Sequence, residues 1–434
     1  MKIVINLCIL IQCLIFISPA KTLAADVPSI KIGLLCDMSG PGARLGKAAA
    51  DGARAAIDAI NSEDWARIRP IELIVSDTAG SSARLSAQAD DLVKIQGALA
   101  VIDSATGLSS ETGGNDDTSR GLLPALKASV IRTSYGDISK YSADETVTDW
   151  TFRVTPDINT EIKALYQWVS GYAGGSISLA SNPVPEPQPG SNPASRPRLR
   201  PVTPVIPDSA RGKMITALMR AYSAEFGIKI MAPIILNAKT QAQDLSMQFK
   251  KAQREGVQIL AAFGLDPGLG PELAHAAGDA GVNLAVSATM LSIEMLKEIK
   301  ADPHIFIIAP PVLINNGLQD SNPSKLATIR FRLALEEKIG TMSPQEILTA
   351  GINWDAVNLV AAGIKKLPDT TREGLRNAIE NLDTPYFGVM GMIRPSMAAH
   401  TGPSPESLII AVQKGNTLVP MGPYGDLDLQ LSSI

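Results

Sequence analysis

Few residues in this sequence can hold a metal or close a bridge. Its 434 residues include only three histidines and three cysteines. His275, His304 and His400 lie far apart and in no ligand spacing, which argues against a histidine-based metal site. Cys8 and Cys13 fall in the first fifteen residues, inside an apolar run. Cys36 is then the one cysteine of the remaining chain, so no intramolecular disulfide is expected. It reads as a small apolar residue at a strand end. Aromatic residues make up 4%, too few for extended base-stacking platforms. The net charge is −4, with none of the basic excess that a nucleic-acid partner calls for. No nucleophile elbow and no Cys–His arrangement at a strand–helix turn is present. The sequence therefore nominates no catalytic residue, no metal and no cofactor.

What the chain does have is apolar content, 45% against 19% charged. That suffices for a substantial core, and the length favours two domains. Met1-Lys2 precedes the run IVINLCILIQCLIFI, then Ser18-Pro19-Ala20 and Thr22-Leu23-Ala24-Ala25-Asp26. A basic start, a short apolar stretch and a small-residue site read as a secretory signal peptide over residues 1–25, cut after Ala24 or Ala25. An uncleaved anchor fits less well, because the run is short for a span and carries Asn6 and Gln12. No later segment is expected to be long and apolar enough to cross a bilayer.

From Ile30 onward strands alternate with helices. IKIGLLC, IELIVSD and ALAVID read as strands. Residues 43–61 and 83–96 read as helices, the second with Leu85, Ala89, Leu92 and Val93 on one face. A second run of the same kind starts near Asn159. It holds SISLA, a helix at 211–226, IKIMAPIIL, a helix at 241–255, VQILAAFG, a helix at 271–280, NLAVSA and HIFIIAP. Helices at 324–339, 344–365 and 371–381 follow, then VMGMIRP and SLIIAVQKG. Such alternation implies parallel sheets covered on both faces, with the loops after the strands gathered on one edge.

Two segments need separate weighing. Residues 182–207 hold nine prolines, with Arg196, Arg198 and Arg200 among them. Proline removes ladder donors, so this stretch reads as an exposed polyproline-type insertion and not as a central strand. The loop Asp37-Met38-Ser39-Gly40-Pro41-Gly42 is glycine-rich, but its spacing misses both nucleotide fingerprints. Asp37 at its mouth would also repel phosphate.

These segments, in this order, resemble the leucine/isoleucine/valine-binding proteins of ABC importers. The match is carried by KIGLLCDMSGPGARLGKAAADGARAAIDAIN, VSDT at 75–78, VIDSATGLSS at 101–110 and FRVTPD at 152–157. It continues through NWDAVNLVAAGI at 353–364, GLRNAIENLDTPYFGVMGMIRP, AAHTGP and LIIAVQKGNTLVP. The resemblance implies the type I periplasmic binding fold: two Rossmann-like α/β lobes with parallel-sheet cores, joined by a multi-strand hinge. The N-terminal lobe would hold residues 27–155 and 312–388. The C-terminal lobe would hold 156–311 and 389–434, with 182–207 as its insertion.

By position, Ser109 and Ser110 match the family's carboxylate-binding serines. Ala128 and Ser129 lie where a small pair meets the ligand's ends, and Met38, Ser39 and Arg44 border the cleft. The second lobe departs from the pattern. No tyrosine follows its first strand, and Ala288-Thr289-Met290 stand where an acidic partner for an ammonium is common. Asp266 is the surviving candidate for that contact. The resemblance implies a monomeric periplasmic protein that captures an amino acid or related carboxylate or amide and hands it to an ABC permease, with no enzyme activity. Two rival readings are a sensor of the same fold and a periplasmic hydrolase or redox-pathway accessory protein.

Overall fold

The computed structural model describes residues 28–105, 126–135, 150–170, 200–237, 240, 242–257, 259–299, 304–314, 317–367, 369–415 and 417–422. The first sheet is built from β1 (Ile30–Cys36), β2 (Ile71–Asp77), β3 (Ala100–Asp103), β4 (Ser129–Arg132) and β5 (Thr151–Arg153). All pairs are parallel, in the order β2-β1-β3-β4-β5. Strands covered on both faces need near-continuous apolar sequence, and IKIGLLC supplies it: six of its seven residues are buried. Helices α1 (Ala43–Asn61) and α2 (Ser82–Asp90) connect the first three strands, and α2 runs on as a π-helical turn over Asp91–Ile95.

The chain then crosses to a second sheet. In order come α3 (Ile158–Val169), β6 (Arg200–Pro207), α4 (Ala210–Ser223), β7 (Ile228–Ile230), β8 (Ile234–Leu236) and α5 (Ala242–Arg254). After them come β9 (Ile259–Ala262), α6 (Gly270–Ala280), β10 (Asn283–Ser287), α7 (Ile293–Glu298) and β11 (Ile305–Ala309). It returns for α8 (Lys325–Ala334), extended by a turn over Glu336–Ile339, then α9 (Pro344–Ile364) and α10 (Arg372–Glu380). A small hairpin, β12 (Tyr386–Phe387) and β13 (Met392–Ile393), leads back to β14 (Ile409–Lys414) and β15 (Thr417–Pro420). The second sheet runs β15-β14-β11-β10-β9-β6-β7, with β8 also on β6. It is parallel from β6 to β11 and antiparallel at β14 and β15.

The proline-rich stretch is the main correction to the sequence reading. Its last eight residues, RPVTPVIP, form β6, an inner strand between β9 and the β7–β8 pair. Three prolines are accommodated because each avoids a ladder donor position. Val202 and Val205 bracket the stretch paired with β9, and Pro201 and Pro207 lie outside it. On the other side, the Val202 carbonyl accepts from Met231 N–H, and pairing resumes only at Val205 with Ile234. Pro204 therefore faces the break between β7 and β8. That break splits IKIMAPIIL, read as one strand, into two. SISLA and the rest of 182–199 lie outside the described residues.

Three connections join the sheets, and they run side by side. Val312 N–H donates to the Val389 carbonyl at 2.9 Å, and Arg153 N–H to the His400 carbonyl at 3.1 Å. Asp355 of α9 fastens the third connection. Its carboxyl accepts from Val389 N–H (2.9 Å), Met390 N–H (2.8 Å) and the Tyr386 hydroxyl (2.9 Å). Burial pushes this carboxyl up to about 7, against the pull of those three donors. His400 is structural as well. Its ring stacks 4.0 Å from Phe152, with Nδ1 3.0 Å from the Thr151 carbonyl and Nε2 3.1 Å from Glu380 Oε1.

Contrary to the expectation from sequence, helix α9 is apolar and long enough to span a bilayer by length and composition, yet 83% of its apolar window is buried inside the protein, as in a core helix. It packs on α1 at Gly52, where a Cβ would lie 2.0 Å from the Ala350 carbonyl oxygen. Its start carries a capping box: Ser343 Oγ accepts from Glu346 N–H, and Glu346 Oε2 accepts from Ser343 N–H. Ser343→Ala is expected to cost about 1–2 kcal/mol, visible as a lower midpoint in chemical denaturation.

Candidate functional site

In open α/β sheets, ligands sit outside the carboxyl ends of the strands. At the first sheet these ends are Asp37–Ser39, Thr78–Ala79, Ser104–Ala105 and Thr133–Tyr135. At the second they are Asp208–Ser209, Phe263–Asp266 and Ser287–Met290.

Two aspartates fold the first edge. Asp37 accepts from Gly40 N–H at 2.6 Å and Gly42 N–H at 2.7 Å. The Asp37 carbonyl lies 1.7 Å from where a Cβ on Gly46 would be. The glycines thus let the loop close on Asp37, which accounts for them without a phosphate. Asp77 accepts from the Ser39 hydroxyl at 2.5 Å, Met38 N–H at 2.8 Å and Ala79 N–H at 2.9 Å. The Ser39 bond, then the backbone donors, hold the Asp77 carboxyl down at about 2. Arg44 donates to Ser343 Oγ (2.9 Å) and Gln345 Oε1 (3.2 Å), and pairs with Glu346 at 2.9 Å. Met38, Ser39 and Arg44 therefore do gather at one rim, but their polar groups are committed to the loop and to α9.

The other sequence candidates are scattered. Ser109 and Ser110 lie outside the described residues. Ala128 and Ser129 are fully buried at the start of β4, the end remote from the loops. The pair named by the resemblance therefore lies away from the loop edge, which Thr133, Ser134 and Tyr135 occupy. Asp266 is exposed and caps a short turn, accepting from Gly268 N–H at 2.8 Å.

The structure brings together a set that sequence reasoning missed. Tyr135, at the β4 edge, is 3% exposed, and Glu161, in the first turns of α3, is 1% exposed. Burial pushes the Tyr135 hydroxyl well up, and the Glu161 charge pushes it further. The Ser287 hydroxyl, at the β10 edge, donates to the Glu161 carboxyl. Thr289 donates to Ser287 Oγ through both its hydroxyl (3.1 Å) and its N–H (3.3 Å). Arg211, in the first turn of α4, also bears on Glu161. Burial nevertheless dominates and raises the Glu161 carboxyl to about 8, with Asp157 adding to the rise. Glu161 Oε1, the Tyr135 hydroxyl and the Thr78 hydroxyl have no hydrogen-bond partner among the described residues. Asn353, buried in α9, donates to Ser104 Oγ at 3.0 Å and positions the β3 edge. Among the described residues no group of His, Cys, Asp and Glu could hold a metal ion.

The sequence profile of periplasmic binding proteins matches residues 29–416. The chain belongs to that family. Solved structures agree on the fold across 91% of this periplasmic binding protein. An extracellular ligand-binding receptor from Rhodopseudomonas palustris is 17% identical, with a TM-score of 0.62 and all of its chain covered. An ABC transporter substrate-binding protein from Desulfitobacterium hafniense, in complex with Leu, is 18% identical with a TM-score of 0.63, also fully covered. The branched-chain amino acid transporter substrate binding protein LivJ from Streptococcus pneumoniae, in complex with isoleucine, is 17% identical with a TM-score of 0.60, again fully covered. Among curated proteins no relative matches the chain. Membership makes this an extracytoplasmic binding protein with two α/β lobes, of a family that binds small molecules and works with ABC transporters.

Proposed function

We propose that this periplasmic binding protein captures a small amino-acid-like or carboxylate ligand between its lobes, closes on it, and delivers it to an ABC permease as a monomer. The lobes correspond to residues 27–155 with 312–388 and 156–311 with 389–434, and residues 1–25 are removed on export. The observation that supports the reading is buried Glu161, bonded by Ser287 at the edge of the second sheet and bearing on Tyr135 at the edge of the first, with Ser104 and Thr133 on that same first edge. Hydroxyls and backbone N–H groups there suit a carboxylate. The parallel connections bonded at Val312–Val389 and Arg153–His400 provide the hinge, and ligand contacts made only in the closed form shift the open–closed equilibrium. No bond is made or broken.

Thermal unfolding against the twenty L-amino acids, their des-amino carboxylates and simple amides tests this. A ligand held by the native state alone stabilises by about 2.7 kcal/mol at a hundred times its Kd, a rise of several degrees. No rise with any member of the panel would remove the reading.

A further inference from the structure

We propose that Glu161 is a ligand-recognising group of this protein, and that it takes a protonated nitrogen, the ammonium of an amino acid or amine. The inference rests on the binding reading above and deepens it. Glu161 is bonded by the Ser287 hydroxyl at the end of β10, lies within the electrostatic reach of Arg211 after β6, and itself bears on Tyr135 after β4. It is buried, yet one of its oxygens meets no donor among the described residues. A buried acceptor left without a donor is costly, and a ligand donor removes that cost. The loop Ser287–Met290 carries no acid of its own. Its Ser287 and Thr289 hydroxyls are instead chained toward Glu161, so the acid arrives at this edge from α3.

The surroundings decide how the carboxyl works. Burial first, and then Asp157 beside its own helix, disfavour its charge, while the Ser287 hydroxyl and Arg211 on α4 favour it. Without a bound cation Glu161 therefore holds its proton at neutral pH. An arriving ammonium makes the ionised form the favoured one. The Glu161 O–H bond breaks, the proton leaves to solvent, and the carboxylate accepts from the ammonium.

Titration calorimetry of the mature protein with L-leucine, repeated in buffers of different ionisation enthalpy, counts this proton. At pH 7 about 0.9 proton per ligand is expected, falling toward zero above about pH 9. Glu161→Gln should bind L-leucine about 10- to 100-fold more weakly and release no proton. Glu161→Asp should keep the release. 4-Methylpentanoate, which lacks the ammonium, should bind weakly to the wild type and lose little in Glu161→Gln. Leucine binding without proton release, or with undiminished affinity in a folded Glu161→Gln protein, would overturn the role of Glu161 and leave the binding reading intact. Wild-type protein that takes 4-methylpentanoate as tightly as leucine would do the same. No binding by any amino acid or carboxylate would remove both.

Discussion

Replacing Asp355 with alanine is expected to cost about 3–5 kcal/mol. Three buried donors, Val389 N–H, Met390 N–H and the Tyr386 hydroxyl, share this one acceptor. Each donor left without a partner in a buried site costs about 1–3 kcal/mol. Tyr386→Phe, which removes one donor and orphans none, should cost about 1 kcal/mol. The wild type also carries a pH signature. Burial raises the folded Asp355 carboxyl to about 7 from its ordinary 3.8, so between those values the folded state binds more protons than the unfolded one. Its contribution is full below about pH 4 and is lost as pH rises toward 7, with a slope of at most about 1.4 kcal/mol per pH unit. Glu161, raised to about 8, acts in the same sense one unit higher. Urea midpoints of wild type and Asp355→Ala between pH 4 and 8 check both statements. A loss below 1 kcal/mol, or an unchanged slope between pH 4 and 7, would show that Asp355 does not anchor the third connection.

The second large effect is expected at Gly52. On an ordinary helix surface Gly→Ala stabilises by about 1 kcal/mol. Here a Cβ would meet the Ala350 backbone, with the oxygen at 2.0 Å and the carbonyl carbon at 2.6 Å. Backbone inside a buried helix cannot swing aside as a side-chain tip can. Gly52→Ala should therefore destabilise by about 1–3 kcal/mol, and Gly52→Val by more, by forcing α1 and α9 apart. Gly340 is the control: it has an ordinary φ of −66° and nothing within 4 Å of an added Cβ. Gly340→Ala should leave the thermal midpoint within a degree or two of wild type. A Gly52→Ala protein as stable as wild type would mean that the two helices are not in contact at this depth.

Much of the fold was legible because periodicity is local. IKIGLLC and IELIVSD each announce a strand from their own residues, and the helices of the last third fall within two residues of their expected ends. The hinge-side resemblance of NWDAVNLVAAGI and AAHTGP pointed to segments that the structure uses as Asp355 and His400. β6 was not legible, since its prolines rule it out unless one knows that β7 and β8 break opposite Pro204. The site was read less well than the fold. Glu161 sits in INTEIKALYQWV, where an acid in a first helical turn looks like a solvated face. It is buried all the same, and the groups it interacts with, Tyr135, Arg211 and Ser287, are distant in sequence. Nor could spacing separate Ser129 from Thr133, because strand ends are set by pairing with β3 and β5.

Cys36 ends β1 fully buried, and burial with the nearby Asp77 charge pushes its thiol up to about 12. From Asp26 onward the chain has no other sulfhydryl. Alkylating dyes attack thiolates within reach, so the protein from Asp26 onward, the form proposed above for export, is expected to be silent toward them at neutral pH. A single cysteine introduced at exposed Ile293 or Leu326 would take a fluorophore alone, and the proposed closure could be followed in solution without first removing a native residue.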